Sequence, residues 1–199
     1  TLKVHLNKMM DINKIEKIMN YKSIILLLLL VLLGCAKGDG FTEFGYTYIY
    51  IPQSMISGGI DNNYLVPAGG EENNYNFKIE DNKVKIIMGV LRSGSLRSES
   101  YSVDVKSYTP SNEVLTSLNG IALPESIFTL PNTVSVGSDK TGEVFYLSVD
   151  ATALKSEAFN NQTLVLTIEI SNPSNYELAE KGTKVNVVID VEKIRGFFK

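Results

Sequence analysis

The chain of 199 residues holds one thiol, Cys35, and one imidazole, His5. Cys35 directly follows Leu32, Leu33 and Gly34, which puts a small residue next to the thiol and an aliphatic one three places before it. Small residues there let a peptidase accept an extended backbone, and sulfur is the atom to which a diacylglyceryl group is joined. The spacing marks Cys35 as a candidate for modification at sulfur beside a point where the chain could be cut. At about 0.8 kcal/mol per buried CH₂, even two acyl chains anchor a protein stably to a bilayer.

The segment that must deliver this thiol is the run of ten apolar residues from Ile24 to Leu33, with Lys22 just ahead of it. A spanning helix needs roughly 20 apolar residues, whereas a signal-peptide core needs about 7–15. Leu32-Leu33-Gly34-Cys35 resembles the lipobox of bacterial lipoproteins, which implies acylation of Cys35 and cleavage just before it, with Leu33 bulkier than the lipobox's usual residue at that place. Met19 is the expected initiator, so residues 1–18 are read as upstream sequence or an extended n-region, 19–34 as the signal peptide and 35–43 as the lipidated cysteine and its tether. The expected address is the bacterial outer membrane, with the periplasmic face and the cell surface both open, because Asp39 is the only acidic residue of the tether before position 43.

Processing at Cys35 removes much chemistry. His5 lies upstream, so the remainder has no histidine and no free thiol, which excludes Ser-His-Asp and Cys-His catalysis and a His/Cys zinc site. Residues 1–34 hold five of the 19 basic and two of the 22 acidic residues, so the remainder carries 14 basic against 20 acidic, a formal net charge of −6. An acidic domain without a basic stripe does not suit nucleic acid. No cofactor, metal or catalytic residue is expected, and the chain is read as a non-enzyme.

The candidates that remain are weaker. Tyr46, Tyr48 and Tyr50 share one face of an alternating segment and could stack sugar rings, although tyrosines covering a half-buried outer face are the commoner arrangement and the chain lacks tryptophan. Asp61, Glu71, Glu72 and Asp81 offer oxygen ligands or a hydrolytic carboxylate pair, but no Asp-x-Asp-x-Asp loop is present, and solvated loop charge is the better reading. Ser138 near Lys140 is read as part of a hairpin turn, and Asn161-Gln162-Thr163 as a sequon without a use in bacteria. Phe197-Phe198 is expected to pack on the domain.

From Tyr46 onward the apolar period is two. Ile49 and Ile51; Tyr75, Phe77 and Ile79; Val84, Ile86 and Met88; Tyr101, Val103 and Val105; Leu164 to Ile170; and Val185 to Val191 each mark a strand face. Asp81-Asn82 predicts a hairpin turn, and Thr109-Pro110 to Leu118, closed by Asn119-Gly120, a short helix. A further helical turn is expected within Ala151 to Phe159, and Gly137 to Gly142 is read as a turn. The expected fold is all-β: an immunoglobulin-like antiparallel β-sandwich over residues 44–192 with one or two short helices, preceded by the lipoprotein signal peptide and followed by a tail at 193–199.

The order of segments then matches a family. Val90-Leu91-Arg92-Ser93-Gly94, Tyr101 to Val105, a short helix, Leu123-Pro124-Glu125-Ser126-Ile127-Phe128-Thr129-Leu130 and Thr133-Val134-Ser135-Val136-Gly137, with closing strands at Thr163 to Ser171 and Thr183 to Val191, together resemble the Bacteroidetes lipoprotein domain of unknown function 1735. The resemblance implies an immunoglobulin-like module of an envelope lipoprotein tied to polysaccharide use or adhesion, and it brings no catalytic motif. Function is accordingly expected to be non-catalytic binding or assembly at the envelope, for glycan capture. The alternatives are an adhesion or appendage component working through protein contacts and, third, a carboxylate-only accessory to glycoside hydrolysis.

Overall fold

The computed structural model describes residues 47–56, 61–69, 75–94 and 99–198, all within one unit, Phe44–Lys199. The expected signal peptide, Leu32, Leu33, Gly34, Cys35 and Tyr46 lie outside the described residues. Among the described residues twelve strands form: β1 (Tyr48–Tyr50), β2 (Asn63–Val66), β3 (Phe77–Glu80), β4 (Lys83–Arg92), β5 (Tyr101–Tyr108), β6 (Ile121–Ala122), β7 (Phe128–Thr129), β8 (Thr133–Val136), β9 (Gly142–Asp150), β10 (Thr163–Ser171), β11 (Glu177–Leu178) and β12 (Lys184–Asp190). They divide into two six-stranded sheets. Sheet A runs β11-β1-β4-β9-β7 with β3 also on β4, and sheet B runs β2-β12-β10-β5-β8 with β6 also on β10.

The alternation read from the sequence defines the inner faces. Ile49, Val84, Ile86, Met88 and Val90 of sheet A face Tyr101, Val103, Leu166, Ile168, Val187 and Ile189 of sheet B in one buried cluster. Long strands carry this core because a period of two keeps every second side chain on one face. The sandwich is antiparallel at its centre, but three edge pairings are parallel: β1 with β11, β12 with β2, and β10 with β6. β1 lies in sheet A and β2 in sheet B, so the chain changes sheets through the one-turn 3-10 helix Pro52–Met55, which proline starts.

Turn chemistry accounts for the remaining connections. Asp81 and Asn82 both take positive φ, 52° and 57°, which matches the twist of a two-residue hairpin between β3 and β4. Three short α-helices occur among the described residues: α1 (Asn112–Ser117), α2 (Ala151–Leu154) and α3 (Val191–Arg195). Ser111, Asp150 and Asp190 cap them by accepting backbone N–H bonds at their first turns. The Asp190 cap explains a departure from the sequence reading. Val191 continues the alternation of β12, yet the cap turns the chain into α3, where Val191 and Ile194 are both buried.

Two further findings correct the reading of the sequence. Gly137 to Thr141 is not a hairpin turn: β8 belongs to sheet B and β9 to sheet A, so the segment passes between sheets. Ile79 shares the inward side of Val84 by register but is 40% exposed, because β3 ends at the rim of the sandwich. At the carboxy-terminal side Phe197 packs edge-on against Tyr75 and Phe77, with centroids 4.8 and 5.2 Å away, so it belongs to the packed body. Among the described residues no helix is long and apolar enough to cross a membrane.

Candidate functional site

The sequence-predicted groups are dispersed by the fold. Tyr48 and Tyr50 do share the outer face of β1, opposite the buried Ile49, and both are half-buried. Asp81 pairs with Lys85 Nζ at 3.3 Å, whereas Asp61 lies in the turn before β2 and its Oδ1 accepts the N–H of Asn63. Glu71 and Glu72 lie outside the described residues. Among the described residues no three acidic, histidine or cysteine side chains gather as metal ligands do. Lys140 binds Glu143 at 2.8 Å and its side chain is well exposed, so Ser138 has no desolvated lysine to activate it.

The electrostatics of the acids follow from those pairs. Lys85, then Lys78, hold the Glu80 carboxyl down at about 2, and Lys140 lowers that of Glu143. A general acid in sugar hydrolysis needs the reverse shift.

One pole of the sandwich buries a charge. Arg92 ends β4 with 4% exposure, its guanidinium carbon lies 5.3 Å from the Tyr176 ring centroid, and Nη1 donates to the Ser93 carbonyl at 3.1 Å. Tyr101 packs edge-on against Tyr176 and donates from Oη to the Thr141 carbonyl at 3.2 Å. Burial pushes the Tyr101 phenol up to about 12, with Arg92 pulling it back only in part. Tyr176 Oη accepts the N–H of Glu99 at 2.8 Å, so the cluster fixes the chain where it enters β5. Arg92 and Tyr101 are buried and Tyr176 is half-buried, which makes this pole a packing device.

A row of polar side chains crosses the outer face of sheet B, with Thr167 buried at 7% exposure, Asn63 and Asn186 half-buried and Tyr108 exposed. Register places Asn63 of β2, Asn186 of β12, Thr167 of β10 and Tyr108 of β5 in one row across four strands. Asn186 Nδ2 donates to Asn63 Oδ1 at 3.1 Å, and Thr167 Oγ1 donates to Asn186 Oδ1 at 2.8 Å. At the usual interstrand spacing the row spans roughly 14 Å. Tyr108 closes it with an exposed ring, 46% accessible, and Lys184 Nζ stands 5.8 Å from that ring's centroid while pairing with Glu169 at 3.1 Å. The adjoining row, Leu65, Val188 and Val165, is apolar. This face offers the half-buried amides of Asn63 and Asn186 along a line with a flat aromatic at one end. Sequence reasoning passed over Tyr108 because it follows the Tyr101 to Val105 alternation and precedes Thr109-Pro110, where a short helix is expected to open. Its signal was the outward phase of that same strand.

A groove of about 320 Å³ lies next to Tyr108, with Phe128, Leu130, Pro131 and Asn132 on its far side. β8 pairs with β5 only from Tyr101 to Asp104, and beyond it Val105 donates its N–H to the Asn132 carbonyl at 2.9 Å. Backbone groups alternate sides along a strand, so the N–H and C=O of Ser107 point to the same side as those of Val105, into the groove.

No family model and no curated protein sequence matches the chain. Among solved structures it is similar to the apo-form Calx CBD1 domain, with 15% identity over 73% of this chain and 96% of that one and a TM-score of 0.46. It is also similar to a structure of unknown function from Bacteroides ovatus, with 16% identity over 73% and 46% of the two chains and a TM-score of 0.46. A multidomain protein including domain of unknown function 1735, also from Bacteroides ovatus, is similar with 15% identity, 73% and 45% coverage and a TM-score of 0.44. The match spans less than half the length of each Bacteroides chain.

Proposed function

We propose that the chain is a non-catalytic binding module, held at the bacterial outer membrane by lipid on Cys35, that captures a glycan on the outer face of sheet B. The observation that carries this reading is the row of Asn63, Asn186 and Thr167, joined by two hydrogen bonds, with the exposed Tyr108 next in register. Sugar hydroxyls both donate and accept, so they pair with amides and hydroxyls without needing a charge, and a sugar's C–H face lies well on an exposed ring such as Tyr108. This surface takes the place of the tyrosine platform at Tyr46, Tyr48 and Tyr50. Screening the full chain against a glycan array tests the reading. Binding should weaken about tenfold in Tyr108→Ala and in Thr167→Val, whereas binding indifferent to both substitutions, or turnover of any polysaccharide, would overturn it.

A second reading is assembly with a neighbouring envelope protein by strand addition, which the unpaired edge at Ser107 favours. Under that reading the chain binds no glycan, and a crosslink placed at Ser107 captures an extended segment of the neighbour.

A further inference from the structure

Where the chain enters β10, α1 and the turn after it stand beside the turn at Asn161-Gln162 and border a groove of about 510 Å³. Four residues with side-chain carboxamides line it: Asn112, Asn119, Asn161 and Gln162. Among the described residues none of these four amides enters a hydrogen bond with the protein. Leu115 and Ile121 supply its apolar lining, and Ile121 stays 42% exposed. No charged residue lines it. The geometry of the groove is tightly set, because a Cβ on Gly120 would lie 2.8 Å from Val165 Cγ2 and 3.1 Å from the Thr163 carbonyl oxygen.

We infer that this groove binds a neutral saccharide. Each carboxamide presents two N–H donors and a carbonyl acceptor, a set matched to hydroxyls that donate and accept at once. A lining without charge gives no attraction for phosphate, carboxylate or cationic ligands, whose binding rests on opposite charge. The exposed Ile121 offers an apolar surface for the C–H face of a ring. An extended peptide suits the groove less well, because it would use an open strand edge, and that feature lies at Ser107. The inference goes beyond the sheet-face reading, since its residues are not shared with the row that ends at Tyr108.

The test is a titration of the ¹⁵N-labelled full chain with neutral oligosaccharide fragments of glucan, mannan, xylan and arabinan, and with an uncharged Ala-Gly-Ser peptide. Side-chain NH₂ resonances of the four amides report on the groove directly. Asn119 and Asn161 have φ of 46° and 54°, a conformation that aspartate also accepts, so the double variant Asn119→Asp/Asn161→Asp removes two amides without forcing the backbone. The expected result is that at least one saccharide shifts the groove amides, that the double variant binds it about tenfold more weakly with its backbone spectrum otherwise intact, and that Tyr108→Ala leaves those shifts in place. Groove amides silent to every saccharide, or moved by the peptide alone, would overturn the inference, as would undiminished binding by the double variant. Shifts confined to Tyr108 and Thr167 would also overturn it, while leaving the sheet-face reading standing.

Discussion

Gln53 serves Gly89 as a neighbouring strand would. Its Oε1 accepts the Gly89 N–H at 3.2 Å, and its Nε2 reaches the Ile87 carbonyl at 3.5 Å. β9 occupies one edge of β4 along nearly its whole length, so β1 and β3 share the other, at Leu91–Arg92 and at Lys83–Ile86. The interval between them would leave backbone groups unpaired. Tyr64 Oη adds a 3.0 Å bond to the Ile87 carbonyl, and the Asn76 carbonyl accepts the Ile87 N–H at 2.9 Å. Side chains thus complete a sheet edge that strands leave open.

Gln53→Ala should therefore lower stability by about 1–2 kcal/mol, the usual loss when a buried backbone donor goes unpaired. Urea denaturation measures the loss, and hydrogen exchange locates it. Exchange at Gly89 should accelerate more than at Val84. Unchanged protection of Gly89 would show that the amide is not needed there.

Gly142→Ala should be more damaging. A Cβ at that position would stand 2.3 Å from both Leu91 Cδ2 and the Val90 carbonyl oxygen. The carbonyl belongs to β4, which cannot retreat without breaking its ladder with β9. A loss of about 3 kcal/mol is expected from such overpacking. A denaturation midpoint equal to that of the unaltered chain would refute it.

Stability should also fall at alkaline pH. The Tyr101 phenol is raised from 10.0 to about 12 by burial, so the folded state holds its proton more tightly than the unfolded state does. That contribution is complete below pH 10 and is lost as pH rises through about 12. Tyr64 shifts in the same direction, with burial outweighing its contact with Asn76. Denaturation at a series of pH values from 9 to 12 should show a decline that Tyr101→Phe makes shallower; an equal slope in that variant would assign the decline elsewhere.

Cys35→Ser should abolish incorporation of radiolabelled palmitate and release the protein from the membrane fraction. Continued acylation of that variant would remove the anchor from the proposed function.

The core was legible because its chemistry is local. Ile49, Val103, Ile168 and Val187 point inward as their alternation requires. What alternation omits is pairing. It could not show that Val165 and Val188, on the outer phase of their strands, are nonetheless buried, since neighbours from other elements cover them. Nor could it show that Gly137 to Thr141 crosses between sheets, because the same turn residues serve hairpins and crossings. The candidate sites were hidden for a related reason. Asn119 and Asn161 read as turn punctuation, and both do sit at positive φ, yet only the fold brings their amides into one groove.

The passage of the chain from β1 in sheet A to β2 in sheet B carries a mechanical consequence. β2 runs parallel to β12, so tension applied between the two ends of the domain pulls these strands along their length in opposite directions. The bonds of that ladder are then loaded together, in shear, instead of parting one at a time. A ladder loaded in this way is expected to yield less readily than one whose bonds part in turn.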